Sequence, residues 1–431
     1  MAENTREIVL DMLLSIERSE EYSHKLMKAV LDKYDYLDAQ EKAFMKRLAE
    51  GTIERKIELD YVLEQFSSVP VKKMKPLIRC LMRMSAYQIL YMDSVPDSAV
   101  CNEAVKLAAK RKFQNLKGFV NGVLRNLSRN KSSVKWPNQE KEPELWMSIT
   151  YSMPLWLVQL WVGEYGKERT LRMLSGLSKV HPVTIRFRKI LDKTARLEYI
   201  AQMEKMGVEV TSSPYLEYAY MLKKAEGIAS LPGYEEGAFT VQDVSSMLAV
   251  EAAGIKASDY VVDICAAPGG KSLLAAETAG RVLSRDVSEN KLALIEENAQ
   301  RMQADNITVE QWDATLTDKT LIGQADVVLM DVPCSGLGVM GKKRDIKYHV
   351  TPESLQEITA LQKKIVAASW QYVKPGGVLL YSTCTVRKEE NEEMCDFICR
   401  EYPFILEESR QLFPGEDDCD GFFYARLRRQ D

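Results

Sequence analysis

Two cysteines stand where a thiol could act on a ligand. Cys334 lies in residues 331–338 (DVPCSGLG) and Cys384 in residues 374–385 (KPGGVLLYSTCT), each just after an apolar run. The thiolate is the nucleophilic form, and a thiol with a pKa of about 8.5 needs nearby positive charge or hydrogen bonds to ionise. Lys271 is a candidate source of that charge. An inert thiol is the alternative for Cys334.

A glycine-containing loop comes earlier in the chain. Residues 263–272 read DICAAPGGKS, and the adjacent glycines let the backbone approach a ligand while a following helix offers free N–H groups. A tight turn without a ligand is one alternative. A phosphate-binding P-loop is another, because residues 270–272 match its end. However, Cys265 replaces a glycine that the P-loop needs, and Pro268 has no N–H to donate.

Two acidic residues follow at positions that suit a nucleoside. Asp286 ends a predicted strand, where a carboxylate can accept hydrogen bonds from ribose hydroxyls. Asp313 follows the next strand, where its side chain could reach an adenine edge. A loop aspartate is more often a turn former, so neither is decisive alone. With the glycine loop they predict a site for an adenosine-containing cofactor, and Asp331 can hydrogen-bond a base or that cofactor.

Strands and helices alternate from about residue 236. The predicted elements are strands at 260–264, 281–285, 307–311, 326–330 and 377–381, and helices at 271–278, 289–302 and 354–373. This alternation is typical of a doubly wound parallel sheet, whose ligands bind beyond the carboxyl ends of the strands. The two strand-end cysteines would then face one crevice. We expect the acidic run at 389–393 (EENEE) to be a solvated helix start, where acids suit the helix dipole.

The first part of the chain has a different pattern. Residues 4–130 show helical spacing of apolar residues, and residues 131–144, which are polar with two prolines, are a candidate linker. Short strands are predicted at 183–187 and 208–210. A chain of 431 residues has room for about three domains. The predicted domains are an all-α domain at 1–135, a small α/β region at 145–235 and an α/β domain at 236–431.

Charge is unevenly distributed. Residues 1–135 hold 24 basic and 18 acidic residues, a net of +6, whereas the remaining 34 basic and 44 acidic residues give −10. Within the first part, residues 101–135 contain nine Lys or Arg and one acid. This excess predicts a polyanionic partner. A solvated helix face is the alternative.

Several classes of protein are disfavoured. Eight cysteines are too few for a disulfide scaffold, the charged N-terminus lacks the apolar core of a signal peptide, and no stretch suits a membrane span. We therefore expect a cytoplasmic protein. Cys395 and Cys399 stand four apart on a predicted helix, but the histidines are distant in sequence, so we predict no metal and expect both cysteines in the core. Those histidines are His24, His181 and His349.

These motifs together resemble the RNA cytosine-C5 methyltransferases of the class I S-adenosylmethionine-dependent fold. The paired PCSG and STCT signatures carry the resemblance, and residues 241–246 (VQDVSS) and 420–427 (DGFFYARL) are similar to the same family. Residues 6–14 (REIVLDMLL) and 50–56 (EGTIERK) resemble NusB-like RNA-binding domains. The combination resembles the bacterial RsmB/Sun/Fmu family, over nearly the whole chain.

The resemblance implies a fold, a cofactor and residue roles. It implies an all-α NusB-like N-terminal domain, a small α/β middle region that binds RNA and a C-terminal Rossmann-like methyltransferase domain that uses S-adenosyl-L-methionine. Cys384 would be the nucleophile, Cys334 the second catalytic cysteine, and Asp331 a contact to the base. The residues that would bind the cofactor are Cys265, Ala266, Ala267, Pro268, Gly269, Gly270, Lys271, Asp286, Asp313 and Asp331.

The implied substrate is small-subunit rRNA, with cytosine 967 of 16S rRNA as the family's target, and the expected state is a monomer. A methyltransferase that acts on tRNA and a non-catalytic NusB-like RNA-binding factor are the alternatives. The chain departs from the family pattern at residues 186–188 (RFR) and 343–347 (KRDIK), where Arg188 and Arg344 are unusual. Both departures are expected to affect RNA contacts rather than chemistry.

Overall fold

The computed structural model describes residues 4–19, 22–179, 182–225 and 227–431. His181 lies outside them. Contacts divide the chain into two compact units, Met1–Ser178 with Lys342–His349, and Lys179–Gly341 with Val350–Asp431. These divisions differ from the predicted boundaries because residues 145–178 group with the helical unit and the four-stranded sheet groups with the second unit. The three predicted ranges stay a prediction.

The first unit is built from helices. Their bounds are α1 Thr5–Arg18, α2 Ser23–Lys33, α3 Ala39–Glu54, α4 Lys56–Phe66, α5 Pro76–Tyr91, α6 Asp97–Lys110, α7 Lys117–Asn130, α8 Pro143–Thr150 and α9 Leu155–Leu177. Helix α1 begins where the Asn4 side chain accepts a hydrogen bond from the Arg6 N–H at 3.0 Å, which satisfies one free donor of the first turn. Helix α9 is interrupted at Gly166, whose φ of +77° is a backbone conformation that favours glycine.

The helical core depends on one close approach. Helix α5 is buried along most of its length, and helix α3 packs on it at Gly51. A Cβ at Gly51 would lie 2.0 Å from Cζ of the Tyr87 ring, so a glycine is needed for this contact. Gly51 belongs to the EGTIERK segment. Its contact with the Tyr87 ring explains why a glycine stands in this otherwise helix-forming sequence.

Residues 342–349 belong to the helical unit although they come late in the chain. They include the short helix α14 (Ile346–His349). Arg344 forms ion pairs with Glu54 and Glu50 of helix α3, and the ammonium of Lys347 donates to the Glu54 carbonyl at 2.8 Å. Arg344 therefore has partners within this unit, where the sequence suggested an RNA contact. Burial lowers the pKa of Lys347 to about 7.

The second unit contains two sheets. Its strands are β1 Val183–Phe187, β2 Glu209–Ser212, β3 Ala219–Lys223, β4 Phe239–Val241, β5 Tyr260–Asp263, β6 Arg281–Asp286, β7 Ile307–Gln311, β8 Ala325–Asp331, β9 Val373–Thr383, β10 Phe404–Leu412 and β11 Phe422–Arg429. Its helices are α10 Lys193–Lys205, α11 Val244–Ala252, α12 Gly270–Ala276, α13 Glu289–Arg301, α15 Pro352–Ser369 and α16 Glu392–Glu401. Short 3-10 turns lie at Val71–Lys73, Gln114–Leu116, Lys131–Ser133, Ile228–Ser230, Lys319–Leu321, Trp370–Tyr372 and Lys388–Glu390.

The smaller sheet is antiparallel, with strand order β2-β3-β1-β4. Phe187 of β1 is fully buried and packs edge-on against Tyr220 and Phe239. This α/β region was predicted, and strand β1 has the predicted bounds. Strands β3 and β4 were not predicted, because each is short and lacks a clear alternation of polar and apolar residues.

The larger sheet has the order β10-β11-β9-β8-β5-β6-β7. Strands β5 to β9 pair in parallel, whereas β11 pairs antiparallel with β9 and with β10. The predicted parallel sheet is therefore confirmed for its five strands, whereas the antiparallel hairpin β10–β11 was not predicted. Residues 407–411 (EESRQ) of β10 are polar, as an edge strand allows, and so gave no strand signal.

Among the residues that the structure describes, no helix is both long enough and apolar enough to cross a membrane.

Candidate active site

One edge of the larger sheet collects the predicted residues. The carboxyl ends of parallel strands β5 to β9 meet there. Asp286 and Asp331 are the last residues of β6 and β8, and Cys334 and Cys384 lie in the loops after β8 and β9. Parallel strands share this geometry because each is followed by a crossover that returns to the opposite edge. The sequence order of the motifs thus becomes a single row of side chains in space.

The two cysteines lie in contact. Their Sγ atoms are 3.1 Å apart, and the backbone N–H of Cys384 donates to Sγ of Cys334 at 3.3 Å. The hydrogen bond with Cys384, together with burial, raises the pKa of the Cys334 thiol well above its ordinary value.

Asp331 is held by two groups. Its Oδ2 forms an ion pair with Nζ of Lys271 at 2.6 Å, and its Oδ1 accepts a hydrogen bond from the Ser382 hydroxyl at 2.7 Å. Lys271 also lies 5.1 Å from the centre of the Phe422 ring. The ammonium of Lys271 is thus paired with a carboxylate at this edge of the sheet, and its role as a source of positive charge for a thiol stays a prediction.

The glycine loop lies between β5 and α12. Gly269 has a φ of +102°, and the Ala266 N–H donates to the Arg285 carbonyl at 2.8 Å, which fixes the loop on strand β6. Below it Asp263 is buried and accepts a hydrogen bond from Ser272 at 2.7 Å, and burial raises the pKa of Asp263 to about 7. Cys265 is half-buried and packs against the core, which raises the pKa of its thiol.

Asp286 belongs to this loop by contact. One carboxylate oxygen accepts the Ala267 N–H at 3.3 Å and the other accepts the Ser288 N–H at 3.1 Å. Asp313 is different, because it is exposed and its Oδ1 accepts hydrogen bonds from the backbone and hydroxyl of Thr315. These bonds lower the pKa of Asp313. The turn-forming alternative that we considered for Asp313 is therefore present in the structure.

The remaining motifs support the cysteine loops. Gly421 donates its N–H to the Gly338 carbonyl at 3.0 Å, and Gly338 donates to the Cys384 carbonyl at 3.1 Å. A Cβ on Gly338 would lie 1.9 Å from the Gly421 oxygen. Asp243 caps helix α11 through Ser245, and its Oδ1 lies 3.4 Å from the Asp420 N–H. These motifs thus bring separate segments together around the thiols.

Comparisons with known proteins find relatives along nearly the whole chain. Residues 252–428 match the family model described as 16S rRNA methyltransferase RsmB/F, residues 3–129 match the NusB family, and residues 153–229 match the RsmF/B-like ferredoxin-like domain. A probable ribosomal RNA small subunit methyltransferase B of Bacillus subtilis is 34% identical, over 99% of this chain and 99% of that protein. The ribosomal RNA small subunit methyltransferase B of Proteus mirabilis is 31% identical, over 94% and 93%. The chain belongs to the RsmB family.

RsmB family membership confirms the predicted resemblance, enzyme class and cofactor: the chain is an S-adenosylmethionine-dependent RNA methyltransferase. Solved structures support the fold. The crystal structure of PH0851 superimposes with a TM-score of 0.82 at 23% identity and covers the whole of both chains. NSun6 from Pyrococcus horikoshii gives a TM-score of 0.56 at 22% identity, over 63% of this chain and 97% of that one.

Sequence reasoning missed two residues of this RsmB-family site. Ser382 was part of the STCT motif but was assigned no role, although the alternation along β9 places it beside Asp331. Glu390 was expected to be solvated with the rest of its acidic run and is instead fully buried, so that expectation was wrong for this residue. Burial of one acid in such a run has no signal in the sequence, because it depends on helix α15 covering it.

Two other expectations concern residues away from the edge. Arg186 is fully buried and donates to Gln242 at 2.8 Å and to Glu277, whereas Arg188 donates to Gln303 at 3.4 Å. Both arginines thus have partners inside the second unit.

Cys395 and Cys399 pack in or against the core, as predicted. Within the described ranges no group of three or more His, Cys, Asp or Glu could hold a metal ion.

Proposed function

We propose that this chain methylates carbon 5 of a cytosine in small-subunit rRNA through a covalent adduct with Cys384. The observation that carries the proposal is the contact of two thiols, 3.1 Å apart, beside an anchored carboxylate at the carboxyl edge of the sheet. The names of the relatives, which are ribosomal RNA small subunit methyltransferases, support rRNA as the substrate. Cytosine 967 of 16S rRNA is the proposed target because the family resemblance implies it.

The residues at this edge fit S-adenosylmethionine. Each Asp286 oxygen takes one N–H, and a carboxylate has about four acceptor positions, so capacity remains for ribose hydroxyls. Residues 265–271 would line the cofactor through their backbone, Asp313 would reach the adenine, and Asp331 would lie between cofactor and base. When bound, the cofactor supplies an electrophilic methyl group.

The proposed mechanism gives the two thiols different roles. The Cys384 thiolate attacks carbon 6 of the ring, and the C5–C6 double bond opens so that carbon 5 becomes the nucleophile. Asp331, held by Lys271 and Ser382, accepts a hydrogen bond from N3–H of the ring, and so favours the protonation of N3 that stabilises this form. After methylation Cys334 takes the proton from carbon 5, the double bond re-forms, and the bond between carbon 6 and Sγ of Cys384 breaks. The base must leave its stack to reach the thiols.

The cysteine roles are tested with two variants and an rRNA substrate. Cys384→Ser should abolish methyl transfer, because its hydroxyl is a far weaker nucleophile. Cys334→Ala should accumulate a covalent protein–RNA adduct that survives a denaturing gel. An active Cys334→Ala enzyme without an adduct would show that Cys334 is not needed for release, whereas an inactive Cys334→Ala beside a Cys384→Ser variant that forms the adduct would reverse the roles. Bisulfite sequencing of total RNA from cells that lack the protein would identify the nucleotide and distinguish rRNA from tRNA.

We also propose that the protein acts as a monomer in the cytoplasm. Both cysteines, Asp331 and the cofactor residues come from one chain, so the proposed chemistry needs no second copy. Sedimentation at increasing protein concentration measures the oligomeric state. A dimer at every concentration would contradict the proposed monomer.

A further inference from the structure

Glu390 is a buried acid within reach of the Cys334 loop. Its side chain is fully buried, and its Oε2 accepts two hydrogen bonds, from the Ser335 N–H at 2.9 Å and from Nε2 of Gln362 at 3.0 Å. Its other oxygen lies 4.0 Å from Nη1 of Arg387. Burying a carboxylate costs free energy unless its oxygens accept hydrogen bonds, so the contacts of the Glu390 side chain indicate what it does here.

Glu390 and its partner Gln362 together contact the residues on both sides of Cys334. Gln362, which is itself fully buried on helix α15, donates from the same Nε2 to the Pro333 carbonyl at 3.0 Å. Residue 333 is thus fixed by Gln362 and residue 335 by Glu390. The backbone that carries the Cys334 side chain is therefore anchored immediately before and immediately after it.

A second connection joins this loop to the nucleophile. The hydroxyls of Ser335 and Thr385 lie 2.7 Å apart, and Thr385 directly follows Cys384. The Glu390 carbonyl in turn accepts a hydrogen bond from the Tyr381 hydroxyl at 2.7 Å, on the strand that leads to Cys384. Displacement of Ser335 would therefore change the position of Cys334 more than that of Cys384, whose own strand is paired on both sides.

We propose that Glu390 is a positioning residue for product release, which holds Cys334 through Ser335 and Gln362 so that its sulfur reaches the proton on carbon 5. This inference rests on the proposed function. In the release step the C5–H bond breaks, the proton goes to the Cys334 thiolate, its electron pair re-forms the C5–C6 double bond, and the Cys384 sulfur leaves carbon 6. Attack and methyl transfer do not use Cys334, so loss of Glu390 slows release alone.

The experiment compares Glu390→Ala with wild type, using rRNA and S-adenosylmethionine. The first turnover should be retained, the steady-state rate should fall by about 10-fold to 100-fold, and a covalent adduct should accumulate on a denaturing gel. Glu390→Gln keeps a side-chain oxygen that can accept the Ser335 N–H, so it should restore turnover. Glu393→Ala, at an exposed acid of the same run, is the matched control and should behave as wild type.

The outcomes separate this inference from the proposed function. If Cys334→Ala forms no adduct, the covalent mechanism itself fails. If Cys334→Ala forms an adduct and Glu390→Ala turns over normally, or loses its first turnover as well, the positioning role is overturned. Should Glu390→Ala not fold, Gln362→Ala tests the same point, because it removes the Pro333 anchor and should also accumulate adduct. Normal turnover of Gln362→Ala would then contradict the inference.

Discussion

The two oxygens of Asp331 are fixed by groups from different elements, Lys271 on helix α12 and Ser382 on strand β9. A carboxylate that must meet a ring nitrogen gains from such anchoring, because its orientation is set before the base arrives. At the scale of the residue, the proposed chemistry therefore depends on the groups that orient Asp331 as well as on Asp331 itself.

Ser382→Ala removes one of these partners. Hydrogen bonds to charged groups contribute about 1.5–3 kcal/mol, so we expect kcat to fall by about 10-fold or more. Steady-state methyl transfer to rRNA measures the effect. Ser284→Ala is the control, because Ser284 is a buried serine of the same sheet whose hydroxyl has no hydrogen-bond partner in the described part of the chain. Equal activities of the two variants would mean that Ser382 does not position Asp331.

Cys334, Cys384, Asp286 and Asp331 could be placed from sequence because each follows a strand, and parallel strands end at one edge. The partners of these residues could not. Glu390 is the clearest case, since it stands in an acidic run whose composition suggests a solvated helix start, and the partners of its side chain come from elements that are distant in sequence. Asp313 shows the converse, because a residue that fits a ligand by position also forms an ordinary turn with Thr315.

At the scale of the elements, close approaches decide which residue types are allowed. The contact of Gly51 with the Tyr87 ring joins helices α3 and α5 in the core of the helical unit. The hairpin β10–β11 shows a related limit of sequence reasoning. Its edge strand is polar along most of its length, so its pairing could be recognised only from the register with β11.

Gly51→Ala should destabilise the helical unit, because its new methyl group would overlap the Tyr87 ring. Overpacking of this kind typically costs about 1–3 kcal/mol, more than the helix propensity of alanine restores. Chemical denaturation followed by circular dichroism measures the change. Gly118→Ala on helix α7 is the matched control, since a Cβ there meets nothing within 4 Å, and it should be neutral or slightly stabilising. Equal effects would contradict the overlap.

Lys347 makes the stability of the helical unit depend on pH. Its pKa is about 7 in the folded unit and 10.5 in its ordinary state, so between these values the unfolded chain binds more protons. Stability contributed by this group therefore rises as the pH increases from 7 towards 10. Lys347→Met should raise the thermal midpoint at pH 7 and flatten this dependence. Lys46→Met, at an exposed position, should leave the pH profile unchanged.

At the scale of the whole molecule, charge limits which basic residues are available to contact the phosphates of an RNA substrate. The basic segment 101–135 is less free than its composition indicated, because Lys110 pairs with Glu7 and Arg111 with Glu7 and Asp11. Lys112 is exposed, and the described part of the chain gives neither it nor Lys117 an ion pair. These two residues are therefore better candidates for phosphate contacts.

Lys112→Gln with Lys117→Gln should weaken rRNA binding and its dependence on salt. Each phosphate contact contributes about 0.7–0.9 to the slope of log affinity against log salt, so the magnitude of the slope should decrease by about 1.4–1.8. Lys110→Gln should change it less, because Glu7 already neutralises that lysine. Filter binding at several salt concentrations measures both variants. An unchanged slope in the double variant would identify the segment as a solvated helix face.

The membership of residues 342–349 in the helical unit has a consequence for biosynthesis. A ribosome releases helices α1 to α9 long before it has translated the segment that supplies Arg344 and Lys347. The N-terminal part of the nascent chain must therefore wait, with Glu54 still unpaired by Arg344, until most of the second unit has been made. A fragment that stops near residue 178 would lack residues 342–349. When expressed on its own, this N-terminal fragment should be less stable than the same residues in the full-length protein.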